Sequence, residues 1–344
     1  MPLADATQTE PPAEGRPAER RARPHSGAVR VVAPARLHLG FLDLNGSLGR
    51  MFGSIGLAID TPRTVVTVRR SRNYAGAGPD HERAIKTLRS FAEAYAFKGA
   101  YEVQVGSAIP PHAGLGSGTQ LALAVGAALM ELEGIAADPL RLGEGVNRGA
   151  RSAIGMAAFE RGGFIVDAGR GQHDHAPPVV VQTAFPAAWR ALLVMDNRTA
   201  GVHGEAESAA FAALPPFPEV TAAHVCRLVL LQLVPGLMEA DIEAFGTALT
   251  EIQRIVGAHF AGAQGGSPWT SPAVGRIVGK LRDKGAYGIG QSSWGPTGFA
   301  FTPTQEIAAR LYDSCIEAAR AEGLEILIAE GRNRGASVER IENQ

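Results

Sequence analysis

The most constraining feature of this sequence is a Gly/Ser-rich corner that leads directly into an uncharged apolar segment. The stretch reads IPPHAGLGSGTQLALAVGAAL and spans Ile109–Leu129. A helix start exposes backbone N–H groups that lack an intrahelical partner, and the aligned peptide dipoles add partial positive charge there. Such a corner is suited to an anion, so the pattern predicts a phosphate cradle at a helix N-terminus. An ordinary turn that caps a core helix fits the same residues.

The residue types inside the corner favour close contact with phosphate. Gly114, Gly116 and Gly118 can adopt positive φ and let the backbone approach a ligand, because they carry no Cβ. Ser117 and Thr119 supply hydroxyl groups for a helix cap, a phosphate oxygen or a metal-bound water. The motif is not the Walker pattern, because no lysine follows the glycines, and it is not the GxGxxG fingerprint of dinucleotide-binding folds. The corner alone leaves both interpretations open.

Charge and hydropathy limit the kinds of partner that this chain can bind. The 344 residues include 33 basic and 34 acidic side chains, which gives a formal net charge of −1. No bulk basic field points to nucleic acid or to a membrane surface, so an anionic partner would have to be met by local arginines. The longest apolar run, Leu121–Met130, is shorter than the roughly 20 residues that span a bilayer. We therefore expect a cytoplasmic protein that binds small molecules, with no nucleic-acid or membrane partner.

Two further sets of residues give no metal signature. Cys226 and Cys315 lie in apolar, helical-looking surroundings without CxxC or His/Cys spacing, so we expect buried thiols in a reducing compartment. The segment His173–His175 reads HDH, but it lies in a Gly/Pro-flanked loop with no further ligand at a recognisable spacing. We expect that loop to be solvated rather than metal-binding.

The order of sequence patterns predicts a mixed α and β chain with two domains. Residues 1–27 are rich in Pro, Ala, Arg and Glu and predict a flexible tail. Strand-rich sequence gives way to helices near Ala187, so we expect an N-terminal domain over 28–186, with the phosphate loop, and a C-terminal domain over 187–344. Within the second domain, His224–Val256 predicts two helices that are broken near Pro235.

Several segments together carry a resemblance to a known family. The segment PPHAGLGSGTQLALA, with a Gly-rich strand-loop-strand late in the chain, resembles the GHMP kinase superfamily, whose members bind ATP phosphates at a helix N-terminus. Within that superfamily, RLHLGFLDLNGSLGR and GQSSWGPT look like the β-ribofuranosylaminobenzene 5′-phosphate synthase family. The similarity covers the chain from about Val29 to Ser337.

The resemblance implies a fold and a reaction. The fold is α+β and GHMP-kinase-like, with a ribosomal-S5-like N-terminal domain packed on a ferredoxin-like C-terminal domain. The reaction joins 5-phosphoribosyl 1-pyrophosphate (PRPP) to 4-aminobenzoate or 4-hydroxybenzoate, with release of carbon dioxide and pyrophosphate, as an early step toward methanopterin. The family also suggests a homodimer. An ATP-dependent GHMP-type kinase and a non-catalytic sensor of a phosphate ligand are the alternatives.

The chemistry of that reaction assigns the phosphate loop and a carboxylate. Pyrophosphate takes negative charge as it leaves the ribose, and Mg²⁺ with aligned backbone amides lowers that cost. Ser117 and Asp43 are the candidate metal partners. Asp43 is also the candidate catalytic carboxylate beside the positively charged sugar, although a turn-forming acid before Asn45 fits it too. The expected cradle consists of Pro110, Gly114, Leu115, Gly116, Ser117, Gly118 and Thr119.

Arginine suits phosphate and carboxylate ligands because its planar fork donates two parallel hydrogen bonds. Arg50 is the best catalytic candidate, since it lies in the most family-specific segment. Trp294 looks exposed and would stack on the benzoate ring or serve in packing. The expected substrate-binding residues are Arg36, His38, Arg148, Arg151, Ser292, Ser293 and Trp294. For Arg148 and Arg151, a surface ion-pair role fits equally well.

One departure from the kinases helps to choose between the two family readings. Several GHMP kinases carry Ser-Gly-Ile-Asp, whose aspartate takes the proton of the acceptor hydroxyl. The similar segment here is Ser152–Gly155, which reads SAIG and ends without a side chain. Transfer onto a ring carbon needs no hydroxyl deprotonation, so the glycine favours the synthase over the kinase.

Overall fold

The computed structural model describes residues 27–136, 142, 152–171, 176–201 and 204–342. Nearly all of the expected flexible tail, together with Arg148, Arg151 and His173–His175, therefore lies outside the described residues. The expectations for those positions stay predictions.

The strands of the described chain form two sheets. They are β1 (Ala28–Asp43), β2 (Phe52–Ser71), β3 (Ala75–Ala77), β4 (Ala100–Ser107), β5 (Phe164–Asp167), β6 (Val179–Thr183), β7 (Arg190–Met195), β8 (Tyr287–Gln291), β9 (Thr297–Thr302), β10 (Glu325–Glu330) and β11 (Ser337–Ile341). Seven of them form the first sheet in the order β11-β1-β2-β4-β3, where β5 pairs with β2 and β6 pairs with β5. The other four form the second sheet in the order β10-β7-β9-β8.

Helices cover the outer faces of both sheets and fill the space between them. They are α1 (His81–Ala94), α2 (Ser117–Leu132), α3 (Ile154–Glu160), α4 (Gly204–Ala213), α5 (Glu219–Leu228), α6 (Val234–Met238), α7 (Ile242–Phe260), α8 (Pro272–Asp283) and α9 (Gln305–Ala321). The path from β7 through the helices to β8, β9, α9 and β10 is the βαββαβ order of a ferredoxin-like domain. The predicted α+β, two-domain architecture is confirmed.

The expected domain boundary agrees with the change of sheet, with one exception. Strand β6 ends at Thr183 in the first sheet and β7 begins at Arg190 in the second. The last strand, however, returns to the first sheet, where Val338 lies opposite Val31 of β1. An uncovered edge of β1 would expose unpaired backbone groups, and β11 supplies their partners. The assignment of all of residues 187–344 to the C-terminal domain is therefore wrong for this strand.

A continuous hydrophobic core joins the two domains. On one face of the first sheet, α1 and α2 pack against the start of β1, including Val29 and Val31. The later part of β1, with Leu37 and Leu39, packs on the other side against residues of the second domain such as Phe245. Helix α2 is buried on nearly every side, which accounts for the absence of charged residues before Glu131. The two domains thus meet through apolar packing rather than through a polar hinge.

The helical segment that contains Pro235 departs from expectation. The chain is helical from Glu219 to Met238, with a π-helical turn at Val229–Leu233 that ends two residues before Pro235. The wider turn accommodates Pro235, which lacks an N–H group and would clash in a regular α-helix. The break comes later, at Ala240 with φ of 56°. The prediction of a break near Pro235 was wrong, because the π-helical turn accommodates the proline without ending the helix.

Helix Glu219–Met238 also bears on the membrane question. Its length and mean hydropathy of 1.6 would allow it to cross a bilayer. One of its sides packs into the shared core through residues spaced as on a helix face, namely Ala222, Val225, Val229, Leu233, Val234 and Leu237. That pattern is typical of a core helix of a globular protein.

The two cysteines differ in exposure. Cys226, on the same helix, is exposed, so the expected burial is confirmed only for Cys315.

The shared core predicts cooperative unfolding. Phe245→Ala removes a fully buried ring at the domain junction and should lower the free energy of unfolding by about 3–5 kcal/mol. Because the core is continuous, both sheets should unfold in one transition that moves to lower urea concentration. Circular dichroism and tryptophan fluorescence should therefore report the same midpoint. Two separate transitions, with only one of them shifted, would contradict the shared core.

Candidate active site

Two glycine-rich loops from different domains interlock at the site. The Ser292 hydroxyl, in the loop between β8 and β9, donates a hydrogen bond of 2.8 Å to the carbonyl of Gly114. A Cβ on Gly114 would lie 2.2 Å from the Ser292 carbonyl oxygen, and a Cβ on Gly295 would lie 2.4 Å from that of Ala113. Neither position can carry a side chain without moving backbone. The phosphate loop and the loop between β8 and β9 therefore form one structural unit.

The first of these loops has the conformation of an open helix N-terminus. Gly114 and Gly116 adopt φ of 79° and 80°, as predicted, while Gly118 lies in the first turn of α2. Gly116 is the N-cap residue, and no side chain caps the helix. The first N–H groups of α2 consequently face away from the helix body without a side-chain acceptor. This is the arrangement that favours an anion.

A cleft of about 280 Å³ opens beside the two loops. The predicted residues that line it are Arg36, Gly114, Gly116, Ser117, Gly118, Thr119, Ser293 and Trp294. Sequence reasoning missed its other lining residues, which are Arg83, His112, Gly201, Gly204, Glu207 and Gly295. Two of them lie inside the quoted segments, His112 in PPHAGLGSGTQLALA and Gly295 in GQSSWGPT, so these segments were the available signal. The other four belong to no recognisable motif. Leu115 is buried in the shared core, so it offers the cleft only backbone.

Arg36 is the cation under the loop. Its Nη1 donates a 2.7 Å hydrogen bond to the Gly114 carbonyl, and its backbone N–H donates to the Leu115 carbonyl at 3.1 Å. Burial lowers the pKa of Arg36 to about 10, and the Glu207 carboxylate acts in the opposite direction. The side chain is still a cation at neutral pH. The loop therefore combines backbone donors with a charged arginine beneath them.

Two oxygen donors in the cleft suit a hard divalent cation. Ser117, at the start of α2, and Glu207, on α4, both line it. Among the residues that the structure describes, no three His, Cys, Asp or Glu side chains cluster as a metal site. Mg²⁺ typically keeps several waters and binds through one or two carboxylates together with substrate phosphates. Ser117 and Glu207 fit a Mg²⁺ ion that arrives with a phosphate ligand, whereas Asp43 does not line the cleft.

Asp43 forms the turn that its alternative interpretation predicts. Its Oδ1 accepts hydrogen bonds from the N–H groups of Asn45, at 2.6 Å, and Gly46, at 3.2 Å. This is an Asx turn, which orders the hairpin between β1 and β2. Oδ2 takes no part in these bonds, so one carboxylate oxygen is left for a further role.

Arg50 ties the same hairpin to the loop that follows β5. Its Nε donates to the Ala168 carbonyl at 3.0 Å and its Nη2 to the Gly169 carbonyl at 2.7 Å. The side chain is exposed and does not line the phosphate cleft. In this structure Arg50 therefore holds backbone carbonyls, and the geometry gives it a positioning role.

Asp167 is a buried acid that the sequence reasoning overlooked. Its two oxygens accept from the Ser54 and Gly169 N–H groups, at 3.1 and 2.9 Å, and from Ser152 Oγ and the Ala153 N–H, at 3.0 and 2.9 Å. Burial raises the pKa of Asp167, while these four hydrogen bonds act to lower it. The acid fixes the start of α3 against β2. The available sequence signal for this residue was its position as the one acid at the end of the apolar strand FIVD.

Gly155 lies directly beside the phosphate loop. A Cβ at this position would be 3.1 Å from Thr119 Cγ2, and the Gly155 carbonyl accepts a 2.8 Å hydrogen bond from Gln120 Nε2. The SAIG segment therefore lies against the start of α2. Position 155, next to Thr119, contributes no carboxylate to act as a base.

Trp294 is buried, and the expectation of an exposed ring was wrong. Only 1% of the residue is exposed. Its ring stacks on Phe260 with a centroid distance of 4.1 Å and an interplanar angle of 12°. The burial of Trp294 could not be predicted from the local sequence, because the residue that covers it, Phe260, comes from α7. Stacking of a benzoate on this face of the indole is excluded while Phe260 holds it.

His38 is buried beside the cleft and cannot act as a cation. Its backbone N–H donates to Ser292 Oγ at 2.9 Å, and Nδ1 accepts from the Gly40 N–H at 3.4 Å. Its ring contacts Phe41 at 4.4 Å between centroids. Burial, with a further effect from Arg36, lowers the pKa of His38 to about 3. A neutral imidazole serves packing and hydrogen bonding here rather than phosphate binding.

This pKa predicts a pH dependence of stability. The unfolded chain takes up a proton on His38 below its usual pKa of 6.5, whereas the folded protein does not until about pH 3. The contribution of neutral His38 to the free energy of unfolding is therefore complete above pH 6.5. It falls by about 1.4 kcal/mol per pH unit as the pH drops, so roughly 2 kcal/mol is lost at pH 5. His38→Asn keeps an acceptor for Gly40 and cannot titrate. Urea unfolding at pH 7 and pH 5 should show a smaller loss for the variant, and equal losses would contradict a neutral His38.

Comparison with known proteins places this site in a family. Residues 82–163 match the GHMP kinases N terminal domain and residues 233–321 match the GHMP kinases C terminal domain. The homoserine kinase of Cytophaga hutchinsonii has a similar fold, with a TM-score of 0.65 and 19% identity over 91% of this chain and 98% of that chain. The mevalonate kinase of Methanococcus jannaschii gives a TM-score of 0.64 at 12% identity, over 88% and 98%.

Two curated relatives are much more similar in sequence. Both are named beta-ribofuranosylphenol 5'-phosphate synthase. The protein of Methanothermobacter thermautotrophicus is 32% identical over 89% of this chain and 97% of its own length. The protein of Archaeoglobus fulgidus is 32% identical over 90% and 99%. With the GHMP domains, the interlocked glycine loops and a glycine at position 155, this chain belongs to the beta-ribofuranosylphenol 5'-phosphate synthase family of the GHMP kinase superfamily.

Proposed function

We propose that the protein is a decarboxylating phosphoribosyl transferase that joins PRPP to a para-substituted benzoate. The observation that carries the proposal is the phosphate loop with a glycine, not a carboxylate, at position 155 beside Thr119. A kinase of the Ser-Gly-Ile-Asp type would lack its base, whereas attack by a ring carbon needs none. The relatives are named for the phenol product, which favours 4-hydroxybenzoate over 4-aminobenzoate as the acceptor.

The donor fits the cleft by charge and by hydrogen-bond donors. Its pyrophosphate would accept from the N–H groups at the start of α2, between Gly116 and Thr119. Arg36 adds a fixed positive charge under the loop. Because these donors are already held in place, they stabilise the negative charge that develops on the leaving pyrophosphate without reorganisation.

Ser117 and Glu207 would hold Mg²⁺ in this arrangement. A bound divalent cation supplies Lewis-acid neutralisation of the pyrophosphate charge. Glu207 takes the role of second metal partner that the sequence analysis gave to Asp43, because only Glu207 lines the cleft.

The reaction balances without an added proton. The bond between ribose C1 and the pyrophosphate oxygen breaks, and its electron pair leaves with pyrophosphate. The ring carbon that bears the carboxylate forms a bond to ribose C1. The bond to the carboxylate then breaks as carbon dioxide leaves, and its electron pair restores the aromatic ring. Asp43 would stabilise the positive sugar through Oδ2, since Oδ1 is committed to the turn.

We further propose that the protein acts early in methanopterin biosynthesis and lies in the cytoplasm, and the names of the relatives support this. We also propose that the protein forms a homodimer. An exposed apolar side of helix Glu219–Met238 supports it, with Val220, Leu230, Leu231 and Met238 each at least 65% exposed.

The direct test is turnover with a labelled acceptor. Purified protein with PRPP, Mg²⁺ and carboxyl-labelled 4-hydroxybenzoate should release labelled carbon dioxide and pyrophosphate in equal amounts. The same assay with labelled 4-aminobenzoate should be slower, as the names of the relatives suggest. ATP turnover with a small alcohol would support the kinase, and tight PRPP binding without any turnover would support the sensor.

Paired variants separate chemistry from positioning in the hairpin. Asp43→Asn keeps the Asx turn but removes the charge, so kcat should fall by about 100-fold with little change in the KM for PRPP. Arg50→Gln removes hydrogen bonds to the Ala168 and Gly169 carbonyls, so the hairpin is held less firmly. The main expected effect is a KM for one of the two substrates that is higher by roughly 10-fold or more. Steady-state kinetics with both substrates provide the measurement. Near wild-type kinetics for Asp43→Asn would leave that residue as a turn former only.

A further inference from the structure

Five aromatic rings meet beside the phosphate cleft. They come from β1, β2, α4, α7 and the loop between β8 and β9. Within this group, called the ring cluster below, neighbouring centroids lie 4.1 to 6.3 Å apart. Its members are Phe41, Phe52, Phe211, Phe260 and Trp294.

Phe211 lies at the centre of the ring cluster. Its ring makes edge contacts with the other four, at centroid distances of 5.8 Å to Phe41, 5.3 Å to Phe52, 5.7 Å to Phe260 and 5.3 Å to Trp294. The interplanar angles are between 78° and 88°. Because Phe260 and Trp294 stack only 4.1 Å apart, a ring nearly equidistant from both lies beside the stack. Four rings therefore surround a position that holds one six-membered aromatic ring.

The ring cluster borders the phosphate cleft directly. Trp294 belongs to both, and Glu207, which lines the cleft, precedes Phe211 by one turn of α4. On the opposite side, Phe41 and Phe52 flank the hairpin of Asp43, where Asp43 and Phe52 are opposite each other in the β1–β2 pair. Phe52 adopts φ of 77°, a conformation that is unusual for a bulky residue and is found where function maintains strain. An aromatic ring here would be next to a ribose whose pyrophosphate is on the loop.

A buried donor in the ring cluster is unsatisfied. Among the described residues, no acceptor lies within hydrogen-bond distance of Trp294 Nε1, although the residue is only 1% exposed. Buried indole N–H groups usually find a partner, because leaving one unpaired is unfavourable. A ligand oxygen that enters the ring cluster would satisfy it.

We propose that Phe211 occupies the binding position of the aromatic acceptor and leaves it when an aromatic carboxylic acid binds. The acceptor ring then lies among Phe41, Phe52, Phe260 and Trp294, and an oxygen of the acid or of its para hydroxyl accepts from Trp294 Nε1. This inference rests on the proposed function, because that function supplies the aromatic acid as the class of acceptor. Phe211 acts as a positioning and specificity residue, because α4 carries it together with Glu207.

Binding of 4-hydroxybenzoate without PRPP tests the proposal. Phe211→Ala opens the position, so isothermal titration should show affinity at least 10-fold higher than for the wild type, as apolar cavities of this kind accept aromatic ligands. Phe211→Trp overfills it and should weaken binding. Phe217→Ala is the matched control, since Phe217 is a buried phenylalanine whose ring contacts His259 outside the cluster, and it should bind as the wild type does.

A second variant tests the unsatisfied donor. Trp294→Phe keeps an aromatic ring but removes Nε1, so affinity for 4-hydroxybenzoate should fall by about 10-fold. If Phe211→Ala does not fold, which its circular dichroism spectrum would show, Phe211→Leu takes its place with a smaller expected gain. Unchanged affinity in the Phe211 variants, or an equal gain in Phe217→Ala, would overturn the ring position.

The outcomes separate this proposal from the proposed function. Release of labelled carbon dioxide by the wild type, with Kd and KM for the benzoate unaffected by Phe211→Ala, would refute the ring position and leave the transferase standing. Tighter benzoate binding by Phe211→Ala, in a protein whose wild type never releases carbon dioxide, would support the ring position and refute the transferase.

Discussion

The hydrogen bond from the Ser292 hydroxyl to the Gly114 carbonyl fixes the geometry on which the site depends. The two partners come from different domains, and the same hydroxyl accepts from the His38 N–H of β1. Gly114 and Gly295 allow the loops to approach until no Cβ fits at either position. The shape of the phosphate cradle is therefore set jointly by both domains, and the shared hydrophobic core keeps those domains in register.

Charge in the cleft is arranged before any ligand is present. Burial lowers the pKa of Arg36, which means that the surroundings pay an electrostatic cost to keep a cation there. The Glu207 carboxylate offsets part of that cost in the protein itself. An anion on the loop would offset more of it, because backbone donors and the guanidinium would then share one negative partner. The same arrangement explains why a neutral His38 next to Arg36 is favoured over a charged one.

Sequence reasoning succeeded where the structural cause is local. The φ angles of Gly114 and Gly116 follow from the absence of Cβ, and the α2 core helix follows from an uncharged apolar run. It failed where a distant element decides the outcome. Trp294 is buried because Phe260 covers it, and Glu207 faces the cleft because α4 folds back to it.

The two roles considered for Asp43 were both local and therefore could not be separated by sequence. The Asx turn is visible in the structure, while a catalytic role depends on a sugar whose position the hairpin alone does not fix. Asp167 shows the converse case, in which a plain strand-ending acid gains meaning only from four donors contributed by β2, the start of α3 and the loop after β5. Networks of this kind join residues more than a hundred positions apart and leave no periodic signal.

The proposed function gives a kinase-like fold a different chemistry. The phosphate loop requires only backbone donors and a cation, so it serves any phosphate-bearing donor. Under the proposed function the acceptor side decides the reaction, and there this chain has a glycine at position 155 beside Thr119 and a set of aromatic rings around Phe211. A carboxylate base suits an alcohol that must lose a proton, whereas apolar walls suit a flat ring whose carbon is itself the nucleophile. A glycine at position 155 and aromatic rings around Phe211 would thus both suit the ring acceptor of the proposed transferase rather than an alcohol.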